Sequence, residues 1–150
     1  AGMSLAMACD IIIAARSASF LQAFCNIGLV PDAGSTWYLP RMVGRARALG
    51  MALLGEKISA DEAADWGLVW KAVDDDALAA EGDAVLQKLA KGPTRGLGLI
   101  RNAVQNAFTH SLDTQLDWER EYQRDAGSTA DFAEGVSAFL EKRPADFKGR

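Results

Sequence analysis

The chain holds a single histidine, His110, so a site built from several histidines is excluded and a Ser/His/Asp triad has little to draw on. Its two cysteines, Cys9 and Cys25, match no metal-binding spacing. Both lie in apolar sequence and are expected as reduced core thiols of a cytosolic protein. No apolar run reaches the roughly 18 residues needed to span a bilayer. No charged region precedes an apolar one in the manner of a signal peptide. Positive charge is not in excess either. The 16 Lys and Arg stand against 20 Asp and Glu, a net charge of −4, which gives no electrostatic reason to attract nucleic acid. The nearest basic cluster, Lys142, Arg143, Lys148 and Arg150, reads by itself as a solvated tail.

What is present is ordinary globular material: 49% hydrophobic and 24% charged residues in 150, enough to bury a core. The opening AGMSLAMA reads as the inside of an apolar helix already under way, so sequence is expected upstream of it. Cys9 to Ala15 (CDIIIAA) and Ser19 to Phe24 (SFLQAF) suit short strands, and Asn26 to Ser35 (NIGLVPDAGS) a loop. A helix pattern from Thr36 is broken by Pro40 and Gly44 and ends at Gly55. Ser59 and Glu62 have capping-box spacing, Gly67 stops the helix they open, and Leu68 to Val73 reads as a last strand. Beyond Asp74 the pattern predicts four amphipathic helices, the last with Phe132, Val136, Phe139 and Leu140 on one face. These four either pack on each other or cover a partner subunit.

Asp32 is the best candidate for chemistry, because it follows Pro31 at a strand-to-helix junction. The competing reading makes it the N-cap of the following helix. The second candidate is Ala1-Gly2-Met3, whose small residues let helix N–H groups approach an anion, or else form a helix-packing seam.

The stretches AGMSLAMACDIIIAARSASF, IGLVPDAGSTWYLPRMVGRARA, LLGEKISADEAADWGLVWKAV and the closing FLEKRPADFKGR follow one another in that order. On them, across essentially its whole length, the sequence resembles the crotonase (enoyl-CoA hydratase/isomerase) superfamily. Within the superfamily the wording is most similar to the phenylacetyl-CoA-epoxide isomerase group. The resemblance implies an α/β fold: residues 1–73 are the end of a crotonase-like ββα spiral with an acyl-CoA site loop, and residues 74–150 an all-helical C-terminal oligomerisation region. It also implies an upstream part, with another oxyanion-hole donor and much of the CoA pocket.

Carried over by position, Ala1 supplies a backbone N–H to the oxyanion hole, and Asp32 matches the catalytic aspartate of dienoyl-CoA and ring-epoxide isomerases. It matches the nucleophile of chlorobenzoyl-CoA dehalogenases as well, a subgroup needing aromatic and histidine support not found here. Val30, Pro31 and Ala33 are expected to desolvate Asp32. Ser4 and Phe24 stand where hydratases carry their two glutamates, so water addition by that route lacks its carboxylates. Ser35 replaces a usual glycine. Phe139 and Lys142 match positions that contact the adenine end of CoA bound by a neighbouring subunit; otherwise they are a core Phe and a solvated Lys. Trp37 and Tyr38 either line the acyl pocket or pack the start of the helix.

The resemblance thus implies a cytoplasmic acyl-CoA isomerase, forming a homotrimer or a dimer of trimers, with no nucleic-acid or membrane partner. It needs no metal and no redox cofactor, since coenzyme A enters as part of the substrate. Two rival readings are an enoyl-CoA hydratase with a different base, and a truncated, non-catalytic piece active only in subunit association.

Overall fold

A computed structural model describes all residues, Ala1–Arg150. They form two compact units, Ala1–Gly82 and Asp83–Arg150.

The first unit is mixed α/β. Helix α1 (Gly2–Met7) turns its Ser4 and Met7 side chains inward. It leads to two short strands, β1 (Ile13–Ala15) and β2 (Ser19–Phe20), and a 3₁₀ turn at Ala23–Ile27. Helix α2 runs over Ser35–Leu54, followed by β3 (Ile58–Ser59), α3 (Ala60–Asp65) and β4 (Lys71–Val73). β1 pairs in parallel with β4, Ala14 opposite Ala72, and β2 pairs antiparallel with β3, Phe20 opposite Ile58. The core between them is made by Met7, Leu39, Val43, Met51, Ile58 and Leu68, with Ala60 and Ala63 fully enclosed.

All three strands predicted from apolar runs are shorter than expected, and in each case backbone groups are committed elsewhere. Cys9–Ile11 lie exposed past the end of α1, and Cys9 N–H donates to Ala6 O at 3.0 Å instead of to a ladder. The SFLQAF strand stops at Phe20: its antiparallel pairing reaches only Ile58, and Ala23–Ile27 are taken into the 3₁₀ turn. Leu68 and Val69 donate to Ala63 O, closing the end of α3, so that β4 starts only at Lys71. The cysteines are also not core thiols. Cys9 is exposed and Cys25 half-buried, both free.

The helix signals hold more closely. α2 contains Pro40 and is divided by Gly44, whose φ of 78° and ψ of 163° belong to a region essentially reserved for glycine. The capping box on α3 is complete. Ser59 Oγ accepts from Glu62 N at 3.2 Å, and Glu62 Oε2 accepts from Ser59 N at 2.8 Å, which holds the Glu62 carboxyl below its usual range.

The four predicted helices beyond Asp74 are α4 (Leu78–Ala90), α5 (Thr94–Ala107), α6 (Leu112–Gly127) and α7 (Ala130–Glu141). Ser111 caps α6 and Thr129 caps α7 by accepting from backbone N–H groups three residues on. The core of this second unit is thin: Ala138 and Asp131 are its only buried residues. Apolar side chains such as Ile100, Phe108, Leu112 and Phe139 remain exposed on the chain. No helix is long and apolar enough to cross a membrane.

Candidate active site

Asp32 stands at the first position of a four-residue turn, Asp32–Ser35, closed by Ser35 N–H donating to Asp32 O at 3.0 Å. Both central residues are left-handed, Ala33 with φ 50° and Gly34 with φ 83°. Gly34 is required twice over: a Cβ there would also lie 3.0 Å from the Tyr38 ring. Alanine at a left-handed position costs roughly 1–2 kcal/mol, so the conformation of Ala33 has to be held by its surroundings.

The turn decides one of the readings left open by the sequence. The N-cap of α2 is Gly34, and no side chain caps it. Asp32 therefore does not serve as the cap. It is exposed, as are Val30 and Ala33, so these neighbours do not enclose the carboxylate as expected.

What holds the turn comes from α1. Ser4 Oγ lies 2.5 Å from Ser35 Oγ, with both residues buried. The Ser4 hydroxyl also faces Asp32 O at 3.5 Å, a long contact beside that short one. Ala1, the other sequence candidate, is the backbone N-cap of the same helix and accepts from Leu5 N at 3.0 Å. The first turn of α1 and the Asp32 turn thus meet directly. In the sequence, Ser4 and Ser35 stand out only as departures from a family pattern. Nothing in a linear sequence signals that two serines 31 positions apart share a bond.

Trp37 and Tyr38 pack edge to face with centroids 4.9 Å apart, and the Arg41 guanidinium sits 4.1 Å over the Trp37 ring. An apolar cavity of about 140 Å³ opens beside the turn, lined by Pro31, Ser35, Thr36, Leu39, Ala48 and Leu49. It is below the range of roughly 300–1,000 Å³ usual for small-molecule sites.

Phe139 and Lys142 belong to the second unit. Phe139 is 82% exposed, which rules it out as a core residue of this chain. It borders an apolar groove of about 440 Å³ together with Phe132, Val136, Leu140 and Phe147. Lys142 is exposed and ends α7 in a left-handed conformation, φ 54°.

The closing FLEKRPADFKGR is fixed to α7 by two carboxylates. Asp131 accepts from Lys148 N at 2.6 Å and from Gly149 N at 2.8 Å. Glu134 accepts from both Arg143 Nη atoms and from Asp146 N, and these bonds, the Arg143 side chain first, lower its carboxyl to about 2.

No group of His, Cys, Asp and Glu is arranged to hold a metal ion. His110 stacks on Trp118 at 5.9 Å and pairs through Nδ1 with Gln115 Oε1 at 3.0 Å, a structural role.

The enoyl-CoA hydratase/isomerase family matches residues 1–150. The chain is 56% identical, over all 150 residues, to the 1,2-epoxyphenylacetyl-CoA isomerase of Escherichia coli, and covers 57% of that protein. It is 37% identical over 147 residues, 98% of its length, to the mitochondrial enoyl-CoA hydratase of Pongo abelii, covering 51% of it. The crystal structure of enoyl-CoA hydratase from Bacillus anthracis superposes with a TM-score of 0.95 at 35% identity, over 99% of this chain and 58% of that one. The chain thus spans little more than half the length of these relatives. It belongs to the enoyl-CoA hydratase/isomerase family and has the crotonase fold.

Proposed function

We propose that this chain provides the proton-transfer side of an acyl-CoA isomerase, with Asp32 as the acid–base group and the start of α1 as one side of an oxyanion hole. The observation that carries the reading is the Asp32 turn itself. Its carboxylate is released from any capping duty and presented on a strained turn that meets the first turn of α1. Strained backbone of this kind clusters at functional sites.

In the reaction, the Asp32 carboxylate removes a proton from the acyl chain, and the electron pair moves onto the thioester oxygen. The Ala1 N–H and a second donor stabilise that enolate. Return of the proton at another carbon shifts the double bond; in a ring-epoxide thioester the corresponding rearrangement opens the ring system to an oxepin. The name of the Escherichia coli relative favours the ring-epoxide substrate. Because Asp32 is exposed on the chain, enclosure by the bound acyl group is expected to tune it for proton transfer. Ser4 and Phe24 at the two hydratase glutamate positions weigh against water addition.

No metal and no redox cofactor takes part, and coenzyme A is carried by the substrate. Phe139, with its exposed ring, and Lys142 are assigned to the adenine end of CoA bound by a neighbouring subunit. The working enzyme is a trimer or a dimer of trimers in the cytoplasm; the exposed apolar faces of α5 to α7 support the association of subunits.

The test is to incubate the protein, with any upstream sequence it naturally carries, with a 3-enoyl-CoA and then with a ring-epoxide phenylacetyl-CoA in D2O. Isomerisation with deuterium uptake into the acyl chain is expected for at least one. Hydration of crotonyl-CoA with neither isomerisation would overturn the reading in favour of a hydratase. No turnover of any of the three would favour a role in subunit association alone.

A further inference from the structure

Resting on the reading of Asp32 as the acid–base, we infer that the Ser4–Ser35 hydroxyl bridge is the positioning device for the reaction, fixing the proton-transfer turn against the oxyanion-hole helix. Ser4 lies in the first turn of α1, three residues after Ala1, and Ser35 is the last residue of the Asp32 turn. Their oxygens are 2.5 Å apart and each residue is only 1% exposed, so no water competes for the bond. One bond therefore joins the two ends of the chemistry. On one side is the backbone that faces the enolate oxygen; on the other is the carboxylate that moves the proton.

The bridge also explains how the turn keeps two successive left-handed residues, one of them alanine. Ser35 is held from both sides, its N–H on Asp32 O and its hydroxyl on Ser4, so the turn cannot relax without breaking a buried hydrogen bond. Neither serine needs to touch the reacting atoms. Each acts through Asp32, and the effect is expected in kcat, because misplacement of a catalytic group by about 1 Å costs on the order of a hundredfold.

The experiment measures kcat and KM, in the protein with its natural upstream sequence, for Ser4→Ala, Ser35→Ala, the double Ser4→Ala/Ser35→Ala variant and Asp32→Asn. The substrate is whichever of the two thioesters the wild type isomerises. The double variant leaves no buried hydroxyl unpaired, so it separates positioning from damage by an orphaned polar group. Expected is a fall in kcat of roughly tenfold to a hundredfold in both single variants and in the double, with KM changed by less than about twofold. Wild-type kcat in the double variant, with Asp32→Asn inactive, overturns the positioning inference and leaves the role of Asp32 standing. Full activity in Asp32→Asn removes the reading on which the inference rests.

Discussion

Arg143 grips Glu134 with both guanidinium Nη atoms, Nη1 at 2.6 Å from Oε1 and Nη2 at 3.0 Å from Oε2. Such a fork is the geometry in which arginine binds carboxylate most strongly. Here it holds the segment after α7 in place, with Asp146 N on Oε1 as a third bond.

The fork sets a pH dependence. The Glu134 carboxyl falls from 4.5 to about 2 in the folded state, so below pH 4.5 the unfolded chain binds more protons than the folded one. Its contribution is present above pH 4.5 and is lost as pH falls toward 2. Urea unfolding midpoints measured across that range are expected to fall with acid more steeply in the wild type than in Glu134→Gln. Equal slopes would contradict it.

Asp131 tests the same segment by another route. It is buried, and its two oxygens each receive a backbone N–H, from Lys148 and Gly149. Asp131→Asn turns one acceptor into a donor facing a donor, at a cost of about 1–3 kcal/mol for the unmatched buried group. Hydrogen exchange at Lys148 and Gly149 N–H is expected to accelerate, with exchange in α2 unchanged.

Gly44 separates the two parts of α2 at φ 78° and ψ 163°, and a Cβ there would meet nothing within 4 Å. Gly44→Ala therefore isolates the backbone cost, expected at roughly 1–3 kcal/mol. Thermal unfolding gives the value, and an unchanged melting temperature would contradict the assignment.

Helix boundaries were legible in the sequence wherever one residue type determines them locally: Gly44 and Gly55 in α2, Ser59 and Glu62 at α3. Strand lengths were not, because Ile13–Ala15 can be no longer than the partner that pairs with it, and that partner lies 58 residues away. The candidate site divides in the same way. Asp32 could be picked out from its setting between Pro31 and the helix, but the hydroxyl contact that anchors its turn joins residues distant in sequence. Phe139 has the spacing of a core residue, yet it is among the most exposed side chains on α7, since helix periodicity marks an apolar face without telling what that face meets.

The proposed reaction rests on Asp32 carrying the proton. Deuterium uptake from D2O into the acyl chain of the accepted thioester, compared between wild type and Asp32→Asn, tests it most directly. Exchange is expected from the wild type, with a loss of at least about a hundredfold in the variant and the affinity for the thioester nearly unchanged. Exchange at the wild-type rate in Asp32→Asn would contradict it.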